Sequence, residues 1–402
     1  MTTILSGARV ALADRLLERA SLVLEEDRIV EICQGPTPAG PGVLDLSGHL
    51  VVPGFIDVHV HGVEGQDTLT TANAAAEIAR RLPKYGVTGF CPTTVACGPS
   101  ELQRLFEGIR AVRTKPEPGS AHVLPAHLES NFIAPDFRGA QPLTCLRRPT
   151  GDLLPGPPPE ALPFSGRDIL EVIAHWRREV GILTIAPEIE GHLDLIRELV
   201  AAGHIVSLGH SGANYEQGLA GVDAGARHAT HLFNRMPPLS HRAPGLIGAI
   251  FARREVRAEI VCDGYHVHPV VAGAAMRALG RERTMAITDG TAGAGLPVGS
   301  VVPLGSHSIT VTEDACFLPD GTLAGSKLTM DGAFRSLVQK MGASIVDAAY
   351  VCATSQARQL GLNRTGEIAE GMVADLAVLT EELAVTATVI SGQVYDWRAV
   401  RT

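Results

Sequence analysis

The run Val52-Pro-Gly-Phe-Ile-Asp-Val-His-Val-His61 is apolar and largely β-branched, and it closes on two histidines one residue apart. A short apolar run bounded by Pro and Gly suits a strand buried on both faces, as in a parallel sheet. Packing gives such a strand no reason to end in imidazoles. Side chains along a strand repeat with period two, so His59 and His61 point the same way and can hold one ion together. An isolated H-x-H is weak evidence for a metal, and its weight depends on how the other strands end.

Reading outward, similar short runs occur at 86–94, 123–130, 183–189, 205–210, 228–233, 256–263 and 284–289. Helical patterns lie between most of them, such as Ser100-Glu-Leu-Gln-Arg-Leu-Phe-Glu-Gly-Ile-Arg and Asp168-Ile-Leu-Glu-Val-Ile-Ala-His-Trp-Arg-Arg. Eight such units predict an α/β fold, a closed (β/α)8 TIM-type barrel. Residues 1–50 and the stretch from 364 to 402 are instead rich in short alternating runs between Gly and Pro turns. Neither end can bury a core alone. Together they predict one small β-sandwich domain beside a catalytic barrel of residues 51–363. Two segments break the rhythm. Residues 131–166 include the Pro-rich stretch Gly151-Asp-Leu-Leu-Pro-Gly-Pro-Pro-Pro and are long enough to cover an active site, and residues 296–326 read as a β-rich excursion.

The 402 residues, 45% hydrophobic and 19% charged, fit one large barrel with a small accessory domain. A net charge of −9 without a Lys/Arg run excludes nucleic acid and anionic membrane as expected partners, though a local Arg or His could still hold a phosphorylated small molecule. No signal-peptide pattern opens the chain, and no apolar run approaches the ~20 residues of a membrane span. The seven cysteines are scattered without a C-x-x-C pair, which favours reduced thiols and a cytoplasmic protein. Aromatic residues make up only 4%, too few for a sugar-stacking surface.

The strand ends carry the chemistry. After His59 and His61, the third strand ends near Glu129, the fifth at His210, the sixth near His231 and the eighth at Asp289. All lie towards the C-terminal ends, where barrel active sites are built. Imidazole and carboxylate without thiolate suit Zn²⁺, Fe²⁺, Mn²⁺ or Co²⁺ rather than Ca²⁺ or Mg²⁺. The set exceeds the three protein ligands usual for one catalytic zinc, which allows two ions bridged by Glu129. His127, two residues before Glu129, is expected beside the site. His228, three before His231, is expected to face away as a structural residue.

Taken together, Val52-Pro-Gly-Phe-Ile-Asp-Val-His-Val-His-Gly, Ala126-His-Leu-Glu, Ala186-Pro-Glu, Gly209-His-Ser, Ala229-Thr-His-Leu-Phe-Asn, Asp263-Gly-Tyr-His, Ile287-Thr-Asp-Gly and Gly321-Thr-Leu-Ala-Gly-Ser resemble the N-acetylglucosamine-6-phosphate deacetylases of the amidohydrolase superfamily. The resemblance runs in order from about residue 4 to 395. It implies hydrolysis of the acetamide of an amino-sugar phosphate, with Glu129, His210 and His231 as core metal ligands and Asp289 as the catalytic carboxylate. It further implies that Arg242 and His266 contact the phosphate, one of these two reaching across a homodimer, and that Asn234 makes another phosphate contact. The chain departs from the pattern at Glu129-Ser-Asn, at Gln141, where a His is common, and at Arg235, where a small residue is usual. Gln141 can donate a hydrogen bond but cannot be protonated. Arg235 adds a cation that could strengthen anion binding or alter the sugar pose.

The mechanism expected is attack of a metal-activated water on the N-acyl carbonyl, with Asp289 taking the water's proton and passing it to the departing nitrogen. The same core could act on N-acetylgalactosamine 6-phosphate or an N-acyl amino acid, and phosphate dependence separates these. A catalytically dead scaffold would have lost ligands, and this chain keeps them all.

Overall fold

The computed structural model describes residues 2–36, 40–149 and 163–396. The Pro-rich stretch expected to lie over the site falls at 151–159, outside the described residues.

Eight parallel strands form the barrel: β1 Phe55–Val60, β2 Val87–Thr94, β3 Ala126–Leu128, β4 Val180–Ile185, β5 Ile205–Leu208, β6 His228–Ala229, β7 Arg257–Val261 and β8 Thr284–Ile287. They pair in chain order from β1 to β8. Closure comes where Val60 bridges Gly290 in parallel, with the Asp289 amide donating to the His59 carbonyl at 3.0 Å. Ile56, Val58, Cys91, Ile182, Val261 and Ile287 come from five different strands and pack into one cluster, which only the barrel interior allows. Above it lies a polar layer in which Thr230 Oγ1 is 2.8 Å from Thr184 and 2.5 Å from Ser207.

The barrel strands are shorter than the apolar runs that announced them. The first run divides at Gly54. Leu50–Pro53 joins the sheet made by the chain ends, and β1 starts at Phe55. A side chain at Gly54 would collide with Thr88, so this crossing needs glycine. β4 spans Val180–Ile185 rather than 183–189, because Pro187 offers no N–H to continue the ladder.

Both chain ends build one further eight-stranded sheet, in which Leu50–Pro53 pairs antiparallel with the C-terminal strand Leu376–Leu379 and parallel with the N-terminal strand Thr2–Ala11. Its own core contains Leu5, Val10, Leu22, Leu24, Ile29, Leu376 and Val389. The excursion after β8 is a three-stranded antiparallel unit, Val301–Leu304, His307–Val311 and Cys316–Phe317. Leu304 from it reaches the pocket at the barrel mouth.

Candidate metal centre

His59, His61, Glu129, His210, His231 and Asp289 converge at the C-terminal mouth of the barrel, all less than a tenth exposed. His210, His231 and Asp289 follow the last regular residue of β5, β6 and β8 with φ of 48°, 26° and 49°. Non-glycine residues seldom adopt this left-handed region. Here it turns each side chain in over the mouth, and tertiary bonds hold it there. The Ala134 amide donates to the His210 carbonyl at 3.0 Å, and the Ser326 amide to the Asp289 carbonyl at 2.8 Å.

Two groups share the Glu129 carboxylate. Its Oε1 lies 2.6 Å from His210 Nε2 and 2.8 Å from His231 Nε2, which are 3.0 Å from each other. Its Oε2 lies 3.5 Å from His61 Nε2, itself 3.3 Å from His59 Nε2. Asp289 Oδ1 completes this second group at 3.4 Å from His59 and 3.3 Å from His61. His59–His61–Glu129 and Glu129–His210–His231 can each hold a metal ion.

The donor set fits such an ion. The second ring nitrogens of two histidines are already engaged, His59 Nδ1 with Glu259 Oε2 at 2.9 Å and His210 Nδ1 with the Phe137 carbonyl at 2.8 Å. Each therefore carries its proton on Nδ1 and turns an Nε2 lone pair into the cluster, the tautomer a metal ligand needs. Burial opposes a charge on His59, but Glu259, Asp289 and Glu129 push its pKa up to about 10. The carboxylates thus call for positive charge at its Nε2, which a metal ion would supply in place of the proton that they otherwise favour there. Burial likewise opposes ionisation of Glu129 and Asp289, yet the imidazoles around them hold both below the usual carboxylate range. Glu129, Asp289 and Glu259 form a buried anionic cluster whose ionic partners among the described residues are all histidines. Such a cluster requires cations.

A cavity of about 400 Å³ opens above these groups and includes Gln141, Asn234, Arg235 and His266 in its lining. Gln141 is tied into the cluster. Its Oε1 accepts from the Ala96 amide at 2.7 Å, which leaves Nε2 to donate to Glu129 Oε2. His266 Nδ1 pairs with Asp263 at 2.6 Å; burial lowers its pKa, but that hydrogen bond leaves it raised. Arg235, at φ 52°, lays its side chain over Gly139. Arg242 is exposed and does not line the cavity of its own chain.

Two residues escaped sequence reasoning, and a third was expected to point elsewhere. Glu259, in β7, is fully buried beneath the site and touches His59. Asp57 accepts from the Thr288 hydroxyl at 2.5 Å, and burial pushes its pKa up to about 7. His228 was expected to face away, but its Nε2 meets Glu259 Oε1 at 2.9 Å. β6 has only two regular residues before the chain turns, so strict alternation does not extend to His231. His127 does lie beside the site, its ring 4.7 Å from that of His59.

The sequence profile of the Amidohydrolase family matches residues 186–395. An N-acetylglucosamine-6-phosphate deacetylase of Lysinibacillus sphaericus is 31% identical, over 94% of this chain and 93% of that protein. An N-acetylgalactosamine-6-phosphate deacetylase of Escherichia coli O157:H7 is 30% identical, over 98% and 99%. Among solved structures, a Mycobacterium smegmatis N-acetyl-D-glucosamine-6-phosphate deacetylase variant in complex with N-acetyl-D-glucosamine-6-phosphate superposes with a TM-score of 0.87. It is 32% identical, over 98% of this chain and 99% of that one.

Proposed function

Since the chain belongs to the amidohydrolases, among the N-acetylglucosamine-6-phosphate deacetylases, we propose that it hydrolyses the N-acetyl group of an amino-sugar phosphate. The preferred substrate is N-acetylglucosamine 6-phosphate, and the products are glucosamine 6-phosphate and acetate. The observation that carries this reading is a single pocket joining the carboxylate–imidazole cluster to Arg235 and His266.

Glu129, His210 and His231 would hold one divalent ion and His59 with His61 a second, supplying the Lewis acidity that acidifies water and polarises the acyl carbonyl. Zinc is the metal proposed, with iron, manganese or cobalt as substitutes, because the donors are nitrogen and oxygen only. Two ions are favoured by charge: one divalent ion leaves the Glu129–Asp289–Glu259 cluster net negative. Asp289 remains ionised, so its carboxylate can take the proton of the attacking water. It then delivers that proton to the amide nitrogen as the C–N bond breaks. Gln141 fixes the Glu129 carboxylate and has a second N–H to offer the substrate. Arg235, His266 and Asn234 bind the phosphate.

The assembly proposed is a homodimer in which Arg242 serves the partner's pocket. Exposed Leu239, Tyr265, Val270 and Val271, on the loops and helix start after β6 and β7, support a buried contact there. Among the described residues no helix is long and apolar enough to cross a membrane, and the free cysteines suit a reducing cytoplasm.

A second reading, N-acetylgalactosamine 6-phosphate as the substrate, is favoured by the Escherichia coli relative and by Gln141 and Arg235 in the pocket. One screen tests both. Metal-replete protein is offered the two sugar phosphates, unphosphorylated N-acetylglucosamine and an N-acetyl amino acid, and the released amine is measured. Turnover confined to one phosphorylated sugar is expected, with loss on chelation. Equal turnover with and without phosphate would overturn the proposal.

A further inference from the structure

Glu259 lies in the middle of β7, with no exposed surface and, among the described residues, no Lys or Arg as an ion-pair partner. Its Oε2 accepts from His59 Nδ1 at 2.9 Å and from the backbone amide of His231 at 3.0 Å. Its Oε1 lies 2.9 Å from His228 Nε2 and 3.6 Å from His127 Nδ1. One buried oxygen thus restrains a member of each ligand group. For His59 it fixes the tautomer, leaving the Nε2 lone pair facing His61, Asp289 and Glu129. For His231 it anchors the N–H of a residue at φ 26°, a conformation that its own backbone resists. Both nitrogens of His127 already have other partners, the Val58 carbonyl and the Thr184 hydroxyl. The trio of His59, His127 and Glu259 is therefore a closed hydrogen-bond network rather than a further ion site.

We propose that Glu259 is the positioning residue common to both halves of the metal centre, setting the affinity of the His59–His61 half through His59 and of the Glu129–His210–His231 half through the His231 backbone. The inference rests on the metal reading of the site. Glu259→Gln removes the charge while keeping the acceptor oxygen, and Glu259→Leu removes both attachments. A glutamine oxygen in the place of Oε2 can still accept from both His59 Nδ1 and the His231 N–H, but it is uncharged and so holds the His59 imidazole less strongly than the carboxylate does. Leucine accepts nothing.

The test titrates metal-stripped wild type and variants with Co²⁺, reading the visible absorption per equivalent and the metal retained after dialysis. The wild type is expected to bind two equivalents. Glu259→Gln should weaken the His59–His61 equivalent by about 10-fold, the low end of the loss when a ligand's hydrogen-bond partner is altered, and leave the other nearly unchanged. Glu259→Leu should weaken both. Adding Glu259→Gln to His59→Gln should cost little more than His59→Gln alone, since the effect runs through His59. Should Glu259→Gln fail to fold by circular dichroism, Glu259→Asp carries the same test with a smaller selective loss expected. Wild-type titration curves from either foldable variant, full additivity with His59→Gln, or only one equivalent bound by the wild type would each overturn the assignment. A wild type that binds no Co²⁺ would instead overturn the metal reading beneath it.

Discussion

Replacing Asp289 by Asn tests the proton carrier while leaving nearly everything else in place. Asparagine has the same shape and tolerates the φ of 49° at this position, and the backbone bonds to His59 and Ser326 do not involve the side chain. What disappears is the ability to take a proton beside His59 and His61, whose Nε2 atoms lie 3.4 and 3.3 Å from Oδ1. Positioned general acid–base groups contribute about 10²–10⁴ in rate, or about 2.7–5.4 kcal/mol at 1.36 kcal/mol per decade. Asp289 is asked both to take the water's proton and to supply the leaving nitrogen, so a kcat loss of about 10³–10⁴ is expected. Arg235 and His266 remain, so KM should move by no more than about threefold, the mark of an interaction lost only in the transition state. The assay is initial-rate release of amine from N-acetylglucosamine 6-phosphate, with metal content measured on the same preparation. A kcat within about tenfold of wild type would refute the role. So would a loss that merely follows a loss of metal.

Arg235→Ala removes a charged donor from the pocket that also holds His266. At about 1.5–3 kcal/mol for a charge-assisted hydrogen bond, kcat/KM should fall about 10–150-fold on the phosphorylated sugar and hardly at all on the unphosphorylated one; equal losses on both would place Arg235 elsewhere. Away from the site, His122 Nε2 faces Asp375 at 3.3 Å, and the hydrogen bond to that carboxylate raises its pKa. A histidine with a raised folded pKa contributes stability that is fully present below the unfolded value of about 6.5 and is lost as pH rises through the folded pKa. The Tm difference between wild type and His122→Ala should therefore be larger near pH ~6 than near pH ~9, since any packing loss is the same at both. A difference independent of pH would remove the ion pair from the account.

The legible part of this protein is the part that violates packing. A buried parallel strand should be apolar throughout, so His59, His61, Glu129, His210, His231 and Asp289 stand out at strand ends, while the eight apolar runs give the barrel its count. Glu259 offered the same kind of signal, a carboxylate between Ala258 and Ile260 in an otherwise apolar strand. It sits mid-strand, however, where no reacting group is expected. The hold of Gln141 on Glu129 has no local signature. It depends on how residues 131–141 fold back so that Ala96 can orient the amide. Strand limits were the least legible, because the apolar runs at 52–61 and 183–189 continue past the points where Gly54 and Pro187 divert the chain.

The left-handed backbones of His210, His231 and Asp289 were illegible for a different reason: nothing in a His or Asp announces positive φ. Each such residue costs about 1–3 kcal/mol and persists only where surrounding bonds over-determine it. The carboxylate of Glu259 on the His231 amide, the Ala134 amide on the His210 carbonyl and the Ser326 amide on the Asp289 carbonyl are those bonds. They arise from β7, from the loop after β3 and from the excursion after β8. The geometry of these proposed ligands is thus set by three separate parts of the chain, each remote in sequence from the residue it restrains. A catalytic residue can be recognised from its own strand, whereas the residues that aim it become visible only once the barrel has closed.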